Sequence, residues 1–198
     1  MSRGNLFIIS GPSGTGKGTI CQEFSSHNDV FLSVSVTTRN RRNNEIDGVT
    51  YIYDTVEGFK KRIENDMMLE WAQYGDNYYG TPRDIVEEKL EAGINVILEI
   101  EVQGALKVKE KMPEAILIFV LPPSMKELKT RLVTRGREEE DEIRKRIKIA
   151  IGELKKAAVY NYIVINDNLS DSINEVRRII DERKDKMEFI NSLLEENI

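Results

Sequence analysis

The chain is 198 residues long and 40% hydrophobic, which is enough to bury a full core in one or two compact units. A net charge of −5 argues against a nucleic-acid partner, because binding to a phosphate backbone usually needs a basic face. No stretch approaches the roughly 18 consecutive apolar residues of a membrane span, and the first residues lack the apolar core of a signal peptide. We therefore expect a cytoplasmic protein without a membrane partner.

Two scarce residue types exclude several kinds of site. Cys21 is the only cysteine in the sequence, so no internal disulfide can form. His27 is the only histidine, which leaves almost no material for a histidine-based catalytic triad or a zinc cluster. Arginines and lysines do cluster locally, so small phosphorylated ligands remain the favoured class.

The first elements of the chain predict a phosphate-binding loop. An apolar run at residues 6–9 is typical of a buried strand, and residues 19–24 can continue as a helix. The residues between them are Gly11, Pro12, Ser13, Gly14, Thr15, Gly16, Lys17 and Gly18. In such a loop, glycines let backbone N–H groups turn around a phosphate, and the lysine reaches the outer phosphates. We interpret the segment as a nucleoside triphosphate site; the alternative is a turn that only joins a strand to a helix.

Further short apolar segments alternate with helix-like segments along the chain. The strand-like segments span residues 32–36, 94–100, 115–121 and 162–165. The helix-like segments span residues 102–111, 124–134, 138–160 and 171–194, with Ser124 and Asp171 as the expected N-caps. This alternation predicts an α/β fold in which a parallel sheet carries helices on both faces.

Two regions depart from the alternation. Between residues 35 and 93, aromatic residues stand among glycine, asparagine and aspartate, which predicts a small, partly antiparallel insertion. Residues 135–146 place a run of acidic side chains between arginines, so we expect this segment to be solvated and mobile. The pattern therefore predicts a core with two added segments.

Three arginines are candidates for a phosphate site. Arg131 and Arg135 are one helical turn apart and share a face, and Arg146 joins them if the charged segment folds back. Phosphoryl transfer needs positive charge around the oxygens that gain charge in the transition state, and guanidinium groups suit that task. The alternative is an ordinary solvated helix that the neighbouring acidic residues balance.

Three glutamates are candidates for ligand binding. Glu99 and Glu101 end a predicted strand and point to the same side, at the edge where ligands bind in parallel sheets. They favour a metal or ligand role, with a solvated strand end as the alternative. Glu70 stands beside Trp71, where a carboxylate can accept from the adjacent N1–H and N2–H₂ groups of guanine, a pair that adenine does not offer. The alternative for Glu70 is a surface strand residue.

Several segments in combination resemble the guanylate kinase family, whose members phosphorylate GMP with ATP. The resemblance runs from residue 6 to about residue 180, and its segments are residues 11–17, 33–39, 77–81, 97–104, 121–124 and 164–167. It implies a P-loop parallel sheet with helices on both faces, a small α+β GMP-binding insertion and a helical lid. The implied core comprises residues 1–34, 94–126 and 160–198, with the insertion at 35–93 and the lid at 127–159.

The resemblance also implies roles for individual residues. The implied ATP-binding residues are Gly11, Pro12, Ser13, Gly14, Thr15, Gly16, Lys17, Gly18, Thr19, Asn166 and Asp167. The implied GMP-binding residues are Ser35, Arg39, Arg42, Tyr51, Glu70, Tyr79, Thr81 and Glu101. The implied catalytic residues are Lys17, Arg42, Arg131, Arg135 and Arg146. Mg²⁺ is the expected cofactor, held by Thr19 and Glu99 either directly or through water, and no obligatory protein partner is expected.

Three departures from the family pattern bear on the site. Gly18 stands where a serine or threonine usually follows the lysine, so Mg²⁺ would be held through Thr19, water, nucleotide oxygens or a carboxylate such as Glu99. Glu99 and Glu101 stand where aspartates are common in the family, which keeps the negative charge and adds one methylene to each side chain. Arg41 and Asn44 stand where proline and glycine are frequent, so we expect a differently shaped phosphate loop.

We therefore expect an ATP:GMP phosphotransferase that acts by in-line transfer in a site closed by the insertion and the lid. One rival is a guanylate-kinase-like scaffold domain that binds partner peptides without catalysis, although this chain keeps Lys17 and the arginines. A second rival is a kinase for another nucleotide or for a phosphorylated sugar. Turnover rates across several acceptors separate these possibilities.

Overall fold

In a computed structural model, the protein is described over residues 2–135 and 140–195, with side chains over 2–134 and 141–183. The strands in these ranges are β1 (Leu6–Ser10), β2 (Val30–Leu32), β3 (Val36–Thr37), β4 (Ile52–Tyr53), β5 (Met68–Tyr74), β6 (Asn77–Pro82), β7 (Asn95–Glu99), β8 (Ile116–Leu121) and β9 (Tyr162–Ile165). The α-helices are α1 (Lys17–Glu23), α2 (Val56–Glu64), α3 (Arg83–Glu91), α4 (Val102–Lys111), α5 (Met125–Arg135), α6 (Glu140–Leu154) and α7 (Leu169–Glu195). Short 3-10 turns occur at Phe24–Ser26 and Ala157–Val159.

Five strands form a parallel sheet in the order β2-β7-β1-β8-β9. Helices cover both faces, and successive residues of β1 enter opposite cores. Leu6 and Ile8 belong to one apolar cluster, whereas Phe7 and Ile9 belong to the other. Strands buried on both faces need continuous apolar runs, which is why β1 reads that way. The predicted α/β fold with a parallel sheet is confirmed.

A second sheet has the order β4-β3-β6-β5 and is mixed. β5 and β6 form an antiparallel hairpin whose turn contains Gly75 at a φ of 59°, a conformation that favours glycine. α2 packs on this sheet through Phe59, which joins Val36 and Met68 in an apolar cluster. The partly antiparallel character predicted for this region is confirmed, while the bounds 35–93 remain a prediction.

The strand predicted at residues 32–36 is wrong, because this segment crosses between the two sheets. Leu32 ends β2 and pairs with Ile97 of the parallel sheet. Val36 begins β3 in the second sheet and packs in that sheet's own cluster. The alternation of apolar residues with Ser33 and Ser35 also fits one continuous strand, so the sequence does not reveal that each end is covered by a different core.

The two predicted N-caps have different outcomes. Ser124 caps α5, because its Oγ accepts a hydrogen bond from the Glu127 backbone N–H at 3.1 Å. Asp171 is not the cap of α7, which begins at Leu169; Asn168 Oδ1 accepts instead from the Asp171 N–H at 3.3 Å. Asp171 lies in the first turn, where its negative charge suits the helix dipole.

α5 and α6 pack on each other through a small apolar cluster that includes Leu128, Leu132 and Ala150. α6 ends at Leu154, before the predicted residue 160. Residues 136–139, in the segment expected to be mobile, lie outside the described residues, so that expectation and the lid bounds 127–159 remain predictions. No helix within the described ranges is long and apolar enough to cross a membrane.

Candidate active site

The glycine-rich loop connects β1 to α1, in the predicted order of strand, loop and helix. Gly14 and Gly16 both have a φ of 89°, which L side chains rarely adopt. Asn166 Nδ2, at the end of β9, donates to the Thr15 carbonyl oxygen at 2.8 Å, and Asn166 Oδ1 accepts from Ser172 Oγ at 3.1 Å. A Cβ on Gly16 would lie 2.4 Å from Asn166 Nδ2, so this close approach also requires glycine. The Asn166 amide therefore holds the loop in shape.

Lys17 is the first residue of α1 and folds over the loop. Its Nζ donates to the carbonyl oxygens of Gly11 at 2.6 Å and Pro12 at 2.9 Å. Burial lowers the pKa of Lys17, and the nearby Glu99 carboxylate opposes that shift. The lysine is therefore a half-buried hydrogen-bond donor to its own loop.

A cavity of about 530 Å³, the loop cavity, opens above this loop. It is lined by Gly11, Ser13, Gly14, Gly16, Lys17, Gly18, Tyr74, Glu99, Ile100, Glu101, Arg146, Ile149 and Glu153. Arg146 of α6 thus faces the same cavity as Lys17. Glu153 was missed by the sequence analysis, although it stands two helical turns after Arg146 on the same face of α6. Burial raises the pKa of Glu153, and the Lys17 charge opposes that shift.

A second cavity, the α5 cavity, shares Gly14 and Gly16 with the loop cavity. It is lined by Gly14, Gly16, Thr19, Glu127, Thr130, Arg131, Thr134, Asn166, Asp167 and Leu169. Arg131 Nη1 donates to the Asn166 carbonyl oxygen at 3.0 Å, and its Nε donates to Glu127 Oε1 at 2.8 Å. Arg131 and Arg146 therefore line different cavities, and the side chain of Arg135 lies outside the described residues. Convergence of the three arginines remains a prediction.

Glu99 stands beside the position where the usual loop hydroxyl is missing. A Cβ on Gly18 would lie 3.4 Å from Glu99 Oε2, at ordinary contact distance. Thr19 lines the α5 cavity, whereas Glu99 lines the loop cavity. Among the described residues, no three Asp, Glu, His or Cys side chains are grouped to hold a metal by themselves. Metal binding here would therefore need oxygen ligands from a bound nucleotide or from water.

A third cavity, the insertion cavity, lies between the second sheet and α4 and has a volume of about 360 Å³. Five of the predicted GMP-binding residues line it: Ser35, Tyr51, Glu70, Tyr79 and Glu101. They come from four separate parts of the chain, so the cavity exists only because the second sheet folds against the end of β7. Its wall is completed by Trp71, Ala72, Tyr74, Gly80, Glu99, Ile100, Gln103, Gly104 and Lys107.

Glu70 is buried in this wall and is only 9% exposed, which excludes the surface alternative. Thr81, its cross-strand neighbour, donates its Oγ1 hydroxyl to Glu70 Oε1 at 2.9 Å. A Cβ on Gly104 would lie 3.0 Å from Glu70 Oε2, so the carboxylate rests against α4 where a side chain is absent. Burial raises the pKa of Glu70, and the Thr81 hydroxyl opposes that shift.

Arg39 does not line the insertion cavity but lies beside Tyr51, which does, and it forms an ion pair with Glu45, a residue that the sequence analysis missed. Arg39 Nη2 donates to Glu45 Oε1 at 2.7 Å, and the guanidinium lies 5.5 Å from the centroid of the Tyr51 ring. Glu45 Oε2 accepts from the Arg42 backbone N–H at 2.8 Å and from Tyr53 Oη at 2.7 Å. The Arg39 hydrogen bond, followed by that backbone N–H, lowers the pKa of Glu45 to about 2. The Arg42 side chain is exposed.

Tyr74 and Glu101 join the insertion cavity to the loop cavity. Tyr74 is the last residue of β5, and Glu101 directly precedes α4. The Tyr74 hydroxyl donates a short hydrogen bond to Glu101 Oε2. Burial and this hydrogen bond both raise the pKa of Tyr74. Both residues line both cavities, as does Glu99. The two cavities therefore share a wall, which contains this contact between the second sheet and the residue before α4.

Comparison with known proteins identifies the family. The sequence profile described as guanylate kinase matches residues 3–183 of this chain. The chain belongs to the guanylate kinase family. A guanylate kinase from Caldanaerobacter subterraneus subsp. tengcongensis is 52% identical over 179 residues, covering 90% of this chain and 87% of that one. One from Oceanobacillus iheyensis is 49% identical over 189 residues, covering 95% and 92%.

A solved guanylate kinase also shares the architecture. The crystal structure of guanylate kinase from Anaplasma phagocytophilum matches with a TM-score of 0.72 at 30% sequence identity, covering 92% of this chain and 87% of that one. The resemblance inferred from the sequence segments is therefore confirmed at the level of the guanylate kinase family and its P-loop fold.

Proposed function

We propose that the protein is an ATP:GMP phosphotransferase that transfers the γ-phosphoryl group of ATP to GMP or dGMP and releases ADP with GDP or dGDP. The shared wall of the loop cavity and the insertion cavity carries this proposal. A triphosphate held by the loop and a nucleotide held beside Glu70 would direct their phosphates toward each other at that wall. Membership of the guanylate kinase family supports the same reaction. The expected location of this activity is the cytoplasm.

On the ATP side, residues 11–19 would surround the phosphates with backbone N–H groups. Lys17 Nζ would exchange its two carbonyl partners for oxygens of the β- and γ-phosphates. The Asn166 amide is already bonded to the loop and to Ser172, so we assign it to loop support. Asp167 lines the α5 cavity, where the adenosine would lie.

On the GMP side, an ionised Glu70 would accept hydrogen bonds from guanine N1–H and N2–H₂, with Ser35 and Thr81 as flanking hydroxyl groups. AMP presents an acceptor at N1, so the buried carboxylate would lose its donor partners on the base and keep only the hydrogen bond from Thr81. Sites that reject a ligand in this way discriminate by as much as about 10⁴- to 10⁵-fold. The polarity of the insertion cavity therefore favours guanine.

The GMP phosphate would lie beside Arg39, between the hydroxyl groups of Tyr51 and Tyr79. Charge-assisted hydrogen bonds from a guanidinium group are stronger than neutral ones, which suits a dianionic phosphate. Arg42 would reach the same phosphate when the insertion closes over the core. We assign Glu101, at the shared wall, to the GMP side because it lines the insertion cavity.

The chemistry needs little from the protein besides positioning and charge. A phosphate monoester has a second pKa near 6, so GMP is largely dianionic at neutral pH and needs no general base. One GMP phosphate oxygen attacks the γ-phosphorus in line, the bond to the β–γ bridging oxygen breaks, and its electron pair leaves with ADP. Lys17 and the arginines at 131, 135 and 146 would stabilise the charge on the transferred group.

Closure of the insertion (35–93) and the lid (127–159) over the two nucleotides would exclude water. Water at the γ-phosphorus would otherwise hydrolyse the bound ATP, which is a general reason for coupling binding to domain movement. The apolar cluster between α5 and α6 would let the lid move as a unit, because it holds these helices together.

Mg²⁺ is the expected cofactor, and Glu99 fits it. Mg²⁺ sites usually combine one or two carboxylates with water and substrate phosphates. Glu99 lines the loop cavity beside Gly18, whereas Thr19 lines the α5 cavity, so we propose Glu99 as the protein ligand, directly or through water. When bound, the ion neutralises phosphate charge and orients the transferred group.

A coupled assay of ADP formation with GMP, dGMP, AMP, CMP and UMP at equal concentration tests the proposal. We expect turnover with GMP and dGMP and background rates with the others. Absence of GMP-dependent turnover, combined with binding of a phosphopeptide, would favour the scaffold rival. A preference for AMP would remove the assigned role of Glu70, and faster turnover with a phosphorylated sugar would favour the second rival.

A further inference from the structure

Lys107 lines the insertion cavity but has no role in the reaction described above. It lies on α4 one turn after Gly104, so both residues share the face of the helix that covers β5. Lys107 Nζ donates to the Trp71 carbonyl oxygen at 3.2 Å. Glu70, the residue before Trp71, lines the same cavity, so this hydrogen bond holds the Lys107 ammonium group on the wall that also carries the buried carboxylate.

Glu70 lies where its neutral form is favoured. Its carboxylate is buried between β6 and α4, and burial raises its pKa. The Thr81 hydroxyl and the Lys107 charge favour ionisation, whereas the negative charge of Glu101 opposes it. Tyr74 also faces this carboxylate, and the charge on Glu70 contributes to the raised pKa of Tyr74. The Lys107 charge therefore favours the ionised form of Glu70, whereas burial and the Glu101 charge favour the protonated form.

The protonation state of Glu70 decides whether it can accept from guanine. An ionised carboxylate offers two acceptor oxygens to the N1–H and N2–H₂ donors, whereas a protonated one turns an O–H donor toward them. Glu70 Oε1 already accepts from Thr81, and Oε2 rests against α4 at Gly104. A positive charge on the next turn of α4 would keep this arrangement ionised and oriented.

We propose that Lys107 is a positioning residue for guanine recognition, which keeps Glu70 ionised and directed into the insertion cavity. This inference rests on the proposed function, because it takes Glu70 as the guanine-reading residue. It predicts that Lys107 sets how far GMP use extends into acidic pH. A lysine that only ties α4 to β5 would not have that effect.

Lys111 provides a matched control on the same helix. Its Nζ donates to the Met68 carbonyl oxygen at 3.0 Å, so it too ties α4 to a carbonyl group of β5. Lys111 does not line the insertion cavity and is not among the groups that shift the pKa of Glu70. Lys107→Gln and Lys111→Gln both remove an ammonium and keep an amide donor, and Lys107→Arg restores the charge at the first position.

The first measurement needs no nucleotide. NMR titration of the carboxyl carbons of ¹³C-labelled glutamates reports the Glu70 midpoint, assigned by its loss in Glu70→Gln. We expect Lys107→Gln to move this midpoint to higher pH, while Lys111→Gln and Lys107→Arg leave it near the wild-type value. Equal midpoints in the wild type and Lys107→Gln would overturn the inference, as would an equal shift in Lys111→Gln.

The second measurement is KM for GMP at about pH 5 and about pH 8, below and above the range where a carboxyl with a raised pKa titrates. Relative to wild type, Lys107→Gln should raise KM by about two- to fivefold at the acidic pH, and by less at the higher pH. GMP protonation is the same for all variants and cancels. An equal increase at both pH values would reduce Lys107 to a structural tie and overturn the inference.

Failure of the inference is distinguishable from failure of the proposed function. If the wild-type protein does not use GMP, the function fails whatever the NMR titration gives. If it uses GMP and Glu70→Gln impairs that use, but Lys107→Gln leaves both the midpoint and the acidic KM unchanged, only the role of Lys107 fails.

Discussion

The loop cavity and the insertion cavity are built in opposite ways. The floor of the loop cavity is one continuous segment, residues 11–18, and its shape depends on local backbone geometry at Gly14 and Gly16. The insertion cavity draws its walls from β5, β6, the end of β7 and α4, which meet only through tertiary contacts. A phosphate group can be recognised by a short loop of backbone donors, whereas a base needs side chains fixed from several directions.

The two cavities also hold their charges differently. Lys17 donates to carbonyl groups of its own loop, which carry no net charge and can be exchanged for phosphate oxygens. In the insertion, Arg39 is paired with the Glu45 carboxylate, and Glu70 accepts from Thr81. Changes in the loop cavity should therefore affect the chemical step most, and changes in the insertion should affect GMP recognition.

The largest expected effect is in the loop cavity. Lys17→Ala should lower kcat by at least about 10²-fold with the fold intact, because it removes positive charge that acts on the transferred group. Steady-state kinetics measure kcat. The Tm from thermal unfolding and the GMP affinity from calorimetry serve as controls that the fold is intact. A kcat near the wild-type value would contradict the assignment of Lys17.

In the insertion cavity, Glu70→Gln should lower kcat/KM for GMP by about 10- to 100-fold, because an amide donor would then face the guanine donors. KM for ATP should stay near the wild-type value. Glu57→Gln, which changes an exposed carboxylate of α2 paired with Lys61, is the matched control. Unchanged GMP affinity and selectivity would remove Glu70 from the base site.

At the shared wall, Tyr74→Phe should raise KM for GMP by about three- to tenfold, because it deletes the hydrogen bond from the insertion to Glu101. Tyr78→Phe is the control: this ring packs on Phe59, and Tyr78 does not line the insertion or loop cavity. If both variants have equal kinetics, the contact between the two cavities has no part in GMP binding.

The smallest effect is expected for Glu45→Gln, which should raise KM for GMP by about two- to fivefold through looser placement of Arg39. A lower KM would mean instead that Glu45 competes with the phosphate. Glu64→Gln, which changes an exposed carboxylate at the end of α2, is the control.

The loss of thermal stability in Glu45→Gln should depend on pH. The pKa of Glu45 is lowered from 4.5 to about 2, so its stabilising contribution is complete above the ordinary pKa and is lost as the pH falls toward 2. The Tm difference between wild type and Glu45→Gln should therefore shrink across that range. A Tm difference that stays constant down to the lowest pH would contradict the ion pair with Arg39.

Several parts of the fold and site were predictable because their causes are local. The apolar runs of β1 and β8 indicated strands buried on both faces, and the glycine spacing indicated the loop. The pairing of Glu70 with Thr81 was not predictable, since it depends on the register between β5 and β6. Glu45 was missed because one acidic residue in a basic segment carries no spacing pattern of its own.

By itself, the sequence determined the order of strand, loop and helix, the parallel sheet and the family, because these follow from periodicity, backbone geometry and motif spacing along the chain. Only the tertiary structure decided that Leu32 and Val36 belong to different sheets, that Arg131 and Arg146 line different cavities, and that Lys107 and Glu70 line the same one. Those relations depend on how segments that are distant in sequence pack against each other. Such contacts do not produce a regular spacing of residues along the chain, so the sequence alone does not reveal them.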